Sequence, residues 1–231
     1  MKRIFLFLVL CTAVLACSKD EKTYEHWSNL ANEKLNEIQA LSQKVSCTNI
    51  DDFEVVSIGY NIYSLNHPSI KKEFEKLQKE YNNFRAKADK AAGDGRVYND
   101  MIMLPATPPI RKECKNGKAT LVLIKDLNLA ETNKEIASRK KEIDTFYKDV
   151  VCGNANDWSL IAIPKDCCPE FIPINNKIKR NEFLVLTNTY TQLVSKKQIL
   201  ENKTCVGIVC GQKPPTIACE GEKVVLKPST L

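Results

Sequence analysis

Apolar side chains recur along the chain at spacings that define its elements. Trp27, Leu30, Ile38, Leu41 and Val45 fall at three- and four-residue steps on one face, with the stem of Lys34 laid along it. That periodicity predicts an amphipathic helix. The run Phe53 to Ile58 is short, apolar and β-branched, and reads as a strand. Ile70, Phe74, Leu77, Tyr81, Phe84 and Ala88 then form the clearest helical stripe of the chain. Ser69 after Pro68 is the predicted N-cap, and Gly93-Asp94-Gly95 the predicted stop. Asn116-Gly117 sits between Cys114-Lys115 and the apolar run Ala119 to Ile124, a sequence that favours a type I′ hairpin turn.

The same order returns. With a shift of 105 residues, Glu37 to Ile58 overlays Glu142 to Ile163, and seven of those 22 positions are identical. The identities include Val45/Val150, Cys47/Cys152, Asn49/Asn154 and Asp52/Asp157; Phe53 is replaced by Trp158. After a four-residue insertion, Glu73, Phe74, Leu77 and Tyr81 match Glu182, Phe183, Leu186 and Tyr190. The original register resumes with Cys114 on Cys219. Copy two continues the helical faces with Ile136, Ile143, Phe146 and Val150, then with Phe183, Leu186, Tyr190 and Leu193. Glu220-Gly221 takes the place of the hairpin turn. So long a period indicates tandem domains rather than a solenoid. The expected fold is α+β: two tandem units of ~105 residues, each helix–strand–helix–hairpin and braced by disulfides. Residues 26–128 form copy one and 129–231 copy two.

Ten cysteines in 231 residues change the picture further. Cys47 and Cys114 stand 67 apart, as do Cys152 and Cys219, and equivalent positions should pair equivalently. Cys167 and Cys168, present only in copy two, face Cys205 and Cys210 in two further bridges of open connectivity. A bond between the neighbours Cys167 and Cys168 would strain the geometry. An even set of cysteines reads as a disulfide framework in an oxidising compartment. No C-x₂-C pair exists and His26 and His67 lie far from any cysteine, so no metal is expected, and no other cofactor.

The N-terminus gives that compartment. Met1-Lys2-Arg3 precedes the uncharged apolar run Ile4 to Val14, too short to span a bilayer and right for a signal peptide. Val14-Leu15-Ala16-Cys17 resembles the lipobox of bacterial lipoproteins, whereas Cys11 follows the bulky Leu10. The resemblance implies a signal peptide over 1–16, lipidation of Cys17 by acyl chains including palmitate, and a lipidated tether over 17–25. Ser18 after the cysteine implies the outer membrane, and the acidic Ser-Lys-Asp-Glu stretch resembles a surface-export tag. The membrane, through that anchor, is the expected partner. Without residues 1–16, 32 basic residues stand against 28 acidic ones, interspersed, which argues against nucleic acid.

Copy two bears a second likeness. Cys152, Asn154, Asp157-Trp158, Cys168-Pro169, Phe183, Tyr190 and Cys219 resemble a small domain found in uncharacterised Bacteroidetes-type lipoproteins, over most of residues 130–231. The resemblance brings no activity. Copy one departs from it in Phe53 and in lacking the middle cysteines.

No catalytic residue is assigned, and the expectation is a non-enzymatic interaction module. Cys205 to Cys210 is C-x₄-C, not the redox C-x-x-C. Asp51-Asp52 reads as a turn or cap before a strand, and His67 before Pro68 as a loop residue. Two alternatives give the chain a partner. Trp27 and Trp158 would serve a glycan-binding accessory protein by stacking on sugar rings, although core packing is the weightier reading of both. Lys213, Pro214 and Pro215, between Cys210 and Cys219, would form a displayed recognition loop resembling a protease inhibitor's.

Overall fold

A computed structural model describes residues 22–93, 106–206, 208–211 and 213–229. The signal segment 1–16, Cys17, the first part of the tether and Gln212 lie outside the described residues. The protein is α+β with four disulfides. Helix α1 (Tyr24–Lys44) leads to strands β1 (Glu54–Gly59) and β2 (Ile62–Asn66), helix α2 (Lys71–Ala91), and strands β3 (Arg111–Lys115) and β4 (Lys118–Val122). The order then recurs: α3 (Leu129–Thr145), β5 (Trp158–Lys165), β6 (Cys168–Asn175), α4 (Arg180–Leu200), β7 (Thr216–Glu220) and β8 (Lys223–Lys227). Each consecutive strand pair is its own two-stranded sheet.

The element order is therefore helix–hairpin–helix–hairpin, not helix–strand–helix–hairpin. Strands β2 and β6 are the additions. Pro169 and Pro173 disguise β6, since proline is excluded from central strands. In a two-stranded ribbon both strands are edges, and both prolines sit in the ladder opposite Pro164 and Leu160.

The cysteine-containing corners are built alike. The Cys47 N–H donates to the Gly117 carbonyl at 2.8 Å, and the Cys152 N–H to that of Glu222 at 2.8 Å, both acceptors being 70 residues downstream. Asn49 Oδ1 accepts from the Asp51 N–H and Asn154 Oδ1 from the Asn156 N–H, each capping a single 3-10 turn that feeds a strand. Asp52 and Asp157 lie within those turns, the latter paired with Lys177 at 2.6 Å. In the hairpins, Asn116 and Gly117 both take positive φ, as do Gly221 and Glu222. The second turn is thus Gly221-Glu222, one residue beyond the predicted Glu220-Gly221. Glu220 completes β7 because the two-residue loop must centre on the strand register Glu220–Lys223.

Two further expectations are corrected. Ser69 does not cap α2: His67 Nδ1 accepts from the Ser69 N–H at 3.1 Å and caps a 3-10 turn, Pro68–Ile70, inserted before the helix. Val150 lies beyond α3, which stops at Thr145 and gives way to turns. Gly93, in the left-handed region, terminates α2 as expected, while Asp94 and Gly95 fall outside the described residues.

The chain divides into two compact units, and the division crosses the sequence several times. Of the described residues, 22–58, 64–93 and 114–119 form the first unit, and the remainder the second. In the first unit Ile38, Phe53, Leu65, Phe74, Tyr81 and Ala88 are buried. Lys34 carries its stem along that helix face and pairs with Glu37 at 2.8 Å and Glu80 at 3.4 Å. In the second unit Ile143, Ile163, Ile172, Ile174, Phe183 and Tyr190 form one cluster, and Val122, Leu127 and Leu193 another. Helix α4 serves both clusters, which explains why Thr187, Asn188 and Thr189 are buried on it. Their polar atoms are satisfied: the threonines donate to carbonyls four residues back, and Asn188 Nδ2 to Thr107 Oγ1 at 3.0 Å.

Candidate functional site

The features special to the second unit gather at one end of its hairpin β5–β6. The four-residue insertion lengthens this hairpin to eight residues a strand, against six and five in β1–β2. Its lengthened tip carries Cys167 and Cys168. Cys167 bonds to Cys205 and Cys168 to Cys210, which resolves the open connectivity. Cys47 bonds to Cys114 and Cys152 to Cys219, with Cα atoms 5.5 and 5.4 Å apart.

Polar contacts reinforce the tip. Gln198 Nε2 donates to the Asp166 carbonyl at 3.0 Å, and Lys203 pairs with the Asp166 carboxylate at 3.4 Å. The segment after α4 is thus fastened at Cys205 and Cys210, yet the described residues between them are exposed. Val206 is 88% exposed, Val209 93% and Ile208 50%. Ile199, in the last turn of α4, is 72% exposed. An aliphatic side chain normally avoids such exposure, and several together mark a contact surface. Sequence reading missed this segment, because Val206-Gly207-Ile208-Val209 looks like a buried strand by composition alone.

Lys213 and Pro214 are exposed and Pro215 half-buried, immediately after the braced segment. The Ser229 hydroxyl donates to the Pro214 carbonyl and ties this stretch to the end of β8.

The aromatic candidates lie elsewhere. Trp158 is buried, its ring edge-on to Tyr147 at 5.3 Å. Trp27 is stacked on Phe84 at 6.0 Å, with the ammonium groups of Lys22 and Lys87 at 5.0 and 4.7 Å from its centroid. His26 is exposed beside it, and His67 is engaged as a cap with its ring 4.9 Å from Phe53.

A cavity of about 600 Å³ opens in the second unit between α3, β6 and the turn of β7–β8, walled by Ile143, Tyr147, Ile172, Phe183 and Val224. Burial pushes the Tyr147 phenol above its ordinary pKa, and the nearby Asn175 backbone tempers the rise. Its hydroxyl makes no hydrogen bond of full geometry. Among the described residues no three His, Cys, Asp or Glu side chains converge to hold a metal ion. Nor is any described helix long and apolar enough to cross a membrane.

No family model, curated protein or solved structure matches the chain.

Proposed function

We propose that the chain is a lipid-anchored protein of the bacterial cell envelope, a non-enzymatic interaction module built from two tandem copies of one disulfide-braced unit. The observation that carries this reading is the disposal of the cysteines: all eight beyond the lipobox are joined in four bridges. Such a set belongs to an oxidising compartment, and the lipobox-like Val14-Leu15-Ala16-Cys17 supplies the route to it. The tandem relation is supported by the recurring element order and by two bridges of identical separation. Copy one then acts as the plainer scaffold, and copy two carries the elaborated, braced end as the recognition surface. Outer-membrane placement rests on Ser18.

Mass spectrometry of the protein isolated from its native envelope tests this. The expected N-terminus is an acylated Cys17, with no thiol open to alkylation before reduction, and Cys17→Ser abolishes the acylation. An intact Met1 with free thiols at Cys47 and Cys114 overturns the proposal.

Exposed Lys213, following a disulfide, favours a second reading as a protease inhibitor. Inhibition of a lysine-specific protease that Lys213→Ala removes would support it; no inhibition across a protease panel rejects it.

A further inference from the structure

We infer that the braced aliphatic tip of the second unit is a bilayer-contact site, inserting Val206, Ile208 and Val209 into the interface of a membrane rich in anionic phospholipid. The tip is apolar where it is most exposed, and the segment that carries it is basic. Residues 196–213 contain Lys196, Lys197, Lys203 and Lys213 against Glu201 alone. At the hairpin tip Lys165 offsets Asp166; Lys197 pairs with Glu201 at 3.8 Å and Lys203 with Asp166 at 3.4 Å, and the sum of charges stays positive. Exposed aliphatic side chains within a lysine-rich segment match the layered chemistry of a bilayer surface, with acyl chains inside and anionic headgroups outside.

A protein partner is less suited to this surface. A stable interface engages roughly 800 Å² and 20–30 residues on each side, far more than four aliphatic side chains provide. A bilayer demands no complementary shape, and the two bridges fasten both ends of the segment, which lowers the cost of presenting it. The contact does not depend on acylation, so it stands or falls separately from the lipid-anchor reading.

The test uses the mature chain from residue 17 carrying Cys17→Ser, oxidised to four bridges and mixed with vesicles. Sedimentation with phosphatidylethanolamine–phosphatidylglycerol vesicles is expected, with much weaker sedimentation with phosphatidylcholine alone. Val206→Ser and Val209→Ser should each weaken partitioning by about tenfold, the loss expected from one aliphatic side chain. Lys213→Gln should weaken it about fivefold, the contribution of one juxtamembrane charge. These positions are exposed, and intact disulfides with an unchanged circular dichroism spectrum verify folding. Absent sedimentation, equal binding to neutral vesicles, or binding undiminished in the doubly substituted valine variant overturns the inference. So does self-association in ultracentrifugation that the same substitutions abolish, which would assign the patch to a second copy of the chain.

Discussion

Two disulfides of identical sequence separation should contribute unequally to stability. Cys47–Cys114 and Cys152–Cys219 each span 67 residues, but only the second encloses other bridges, Cys167–Cys205 and Cys168–Cys210. A cross-link acts mainly by removing loop-closure entropy from the unfolded chain, and that entropy grows with the logarithm of the loop. For a 67-residue loop the contribution is about 4.4 kcal/mol. With the inner bridges closed, the shortest path between Cys152 and Cys219 falls to about 25 residues, and the contribution to about 3.5 kcal/mol. Paired Cys→Ala substitutions at each bridge, followed by urea unfolding, should therefore differ by about 1 kcal/mol in favour of Cys47–Cys114. The discriminating step removes Cys167–Cys205 and Cys168–Cys210 from both backgrounds. The loss of Cys152–Cys219 should then rise to match that of Cys47–Cys114. If the gap persists without the inner bridges, native packing around the sulfurs governs the contributions, and the chain-entropy explanation is refuted.

Other outcomes can be checked alongside. Phe183, 1% exposed and packed on the rings of Phe146 and Tyr147 at 5.0 and 4.8 Å, should cost about 3–5 kcal/mol when replaced by Ala, measured by denaturant titration. Glu222 holds φ at 65° in the β7–β8 turn, so Glu222→Gly should stabilise by about 1 kcal/mol in thermal unfolding, whereas Gly117→Ala in the β3–β4 turn should destabilise. Burial raises the pKa of Tyr147 and Tyr190. For Lys140, burial lowers the pKa, but hydrogen bonds to Asp144 and Glu170 outweigh it and the net shift is upward. A raised folded pKa contributes stability that is complete below the unfolded value, 10.0 for the tyrosines and 10.5 for the lysine, and is lost as pH rises through the folded one. Alkaline titration followed by tyrosinate absorbance should show these two phenols ionising together with unfolding, and Lys140→Met should flatten the alkaline limb of the stability profile.

The helices were legible because their apolar residues recur at the helical period: Phe74, Leu77, Tyr81 and Ala88 are all buried as that stripe requires. The duplicated bridges were legible from spacing, since the overlay carries each cysteine onto its counterpart. What escaped was set by context. Strand β6 hid behind Pro169 and Pro173, because a ribbon with two edges tolerates what a wider sheet would not. Ser69 is not the cap of α2 because the 3-10 turn Pro68–Ile70, capped by His67, comes first and leaves the N-cap position of α2 to Ile70. Thr187, Asn188 and Thr189 broke the expected polar face of α4, which is packed on more than one side. The exposed segment between Cys205 and Cys210 was least legible. Valine and isoleucine announce an interior, yet this stretch is exposed between bridges at both of its ends.

Among the described residues every strand pairs with its immediate neighbour in the chain, which has a kinetic consequence. Hairpins close in microseconds, and sheets made of such local pairs need little topological search of their own. The four bridges that lock distant segments together form by sulfur chemistry, which proceeds over seconds to hours unless an isomerase assists. Maturation of the protein should therefore be paced by thiol oxidation, with native-like secondary structure already present in the fully reduced chain while it waits.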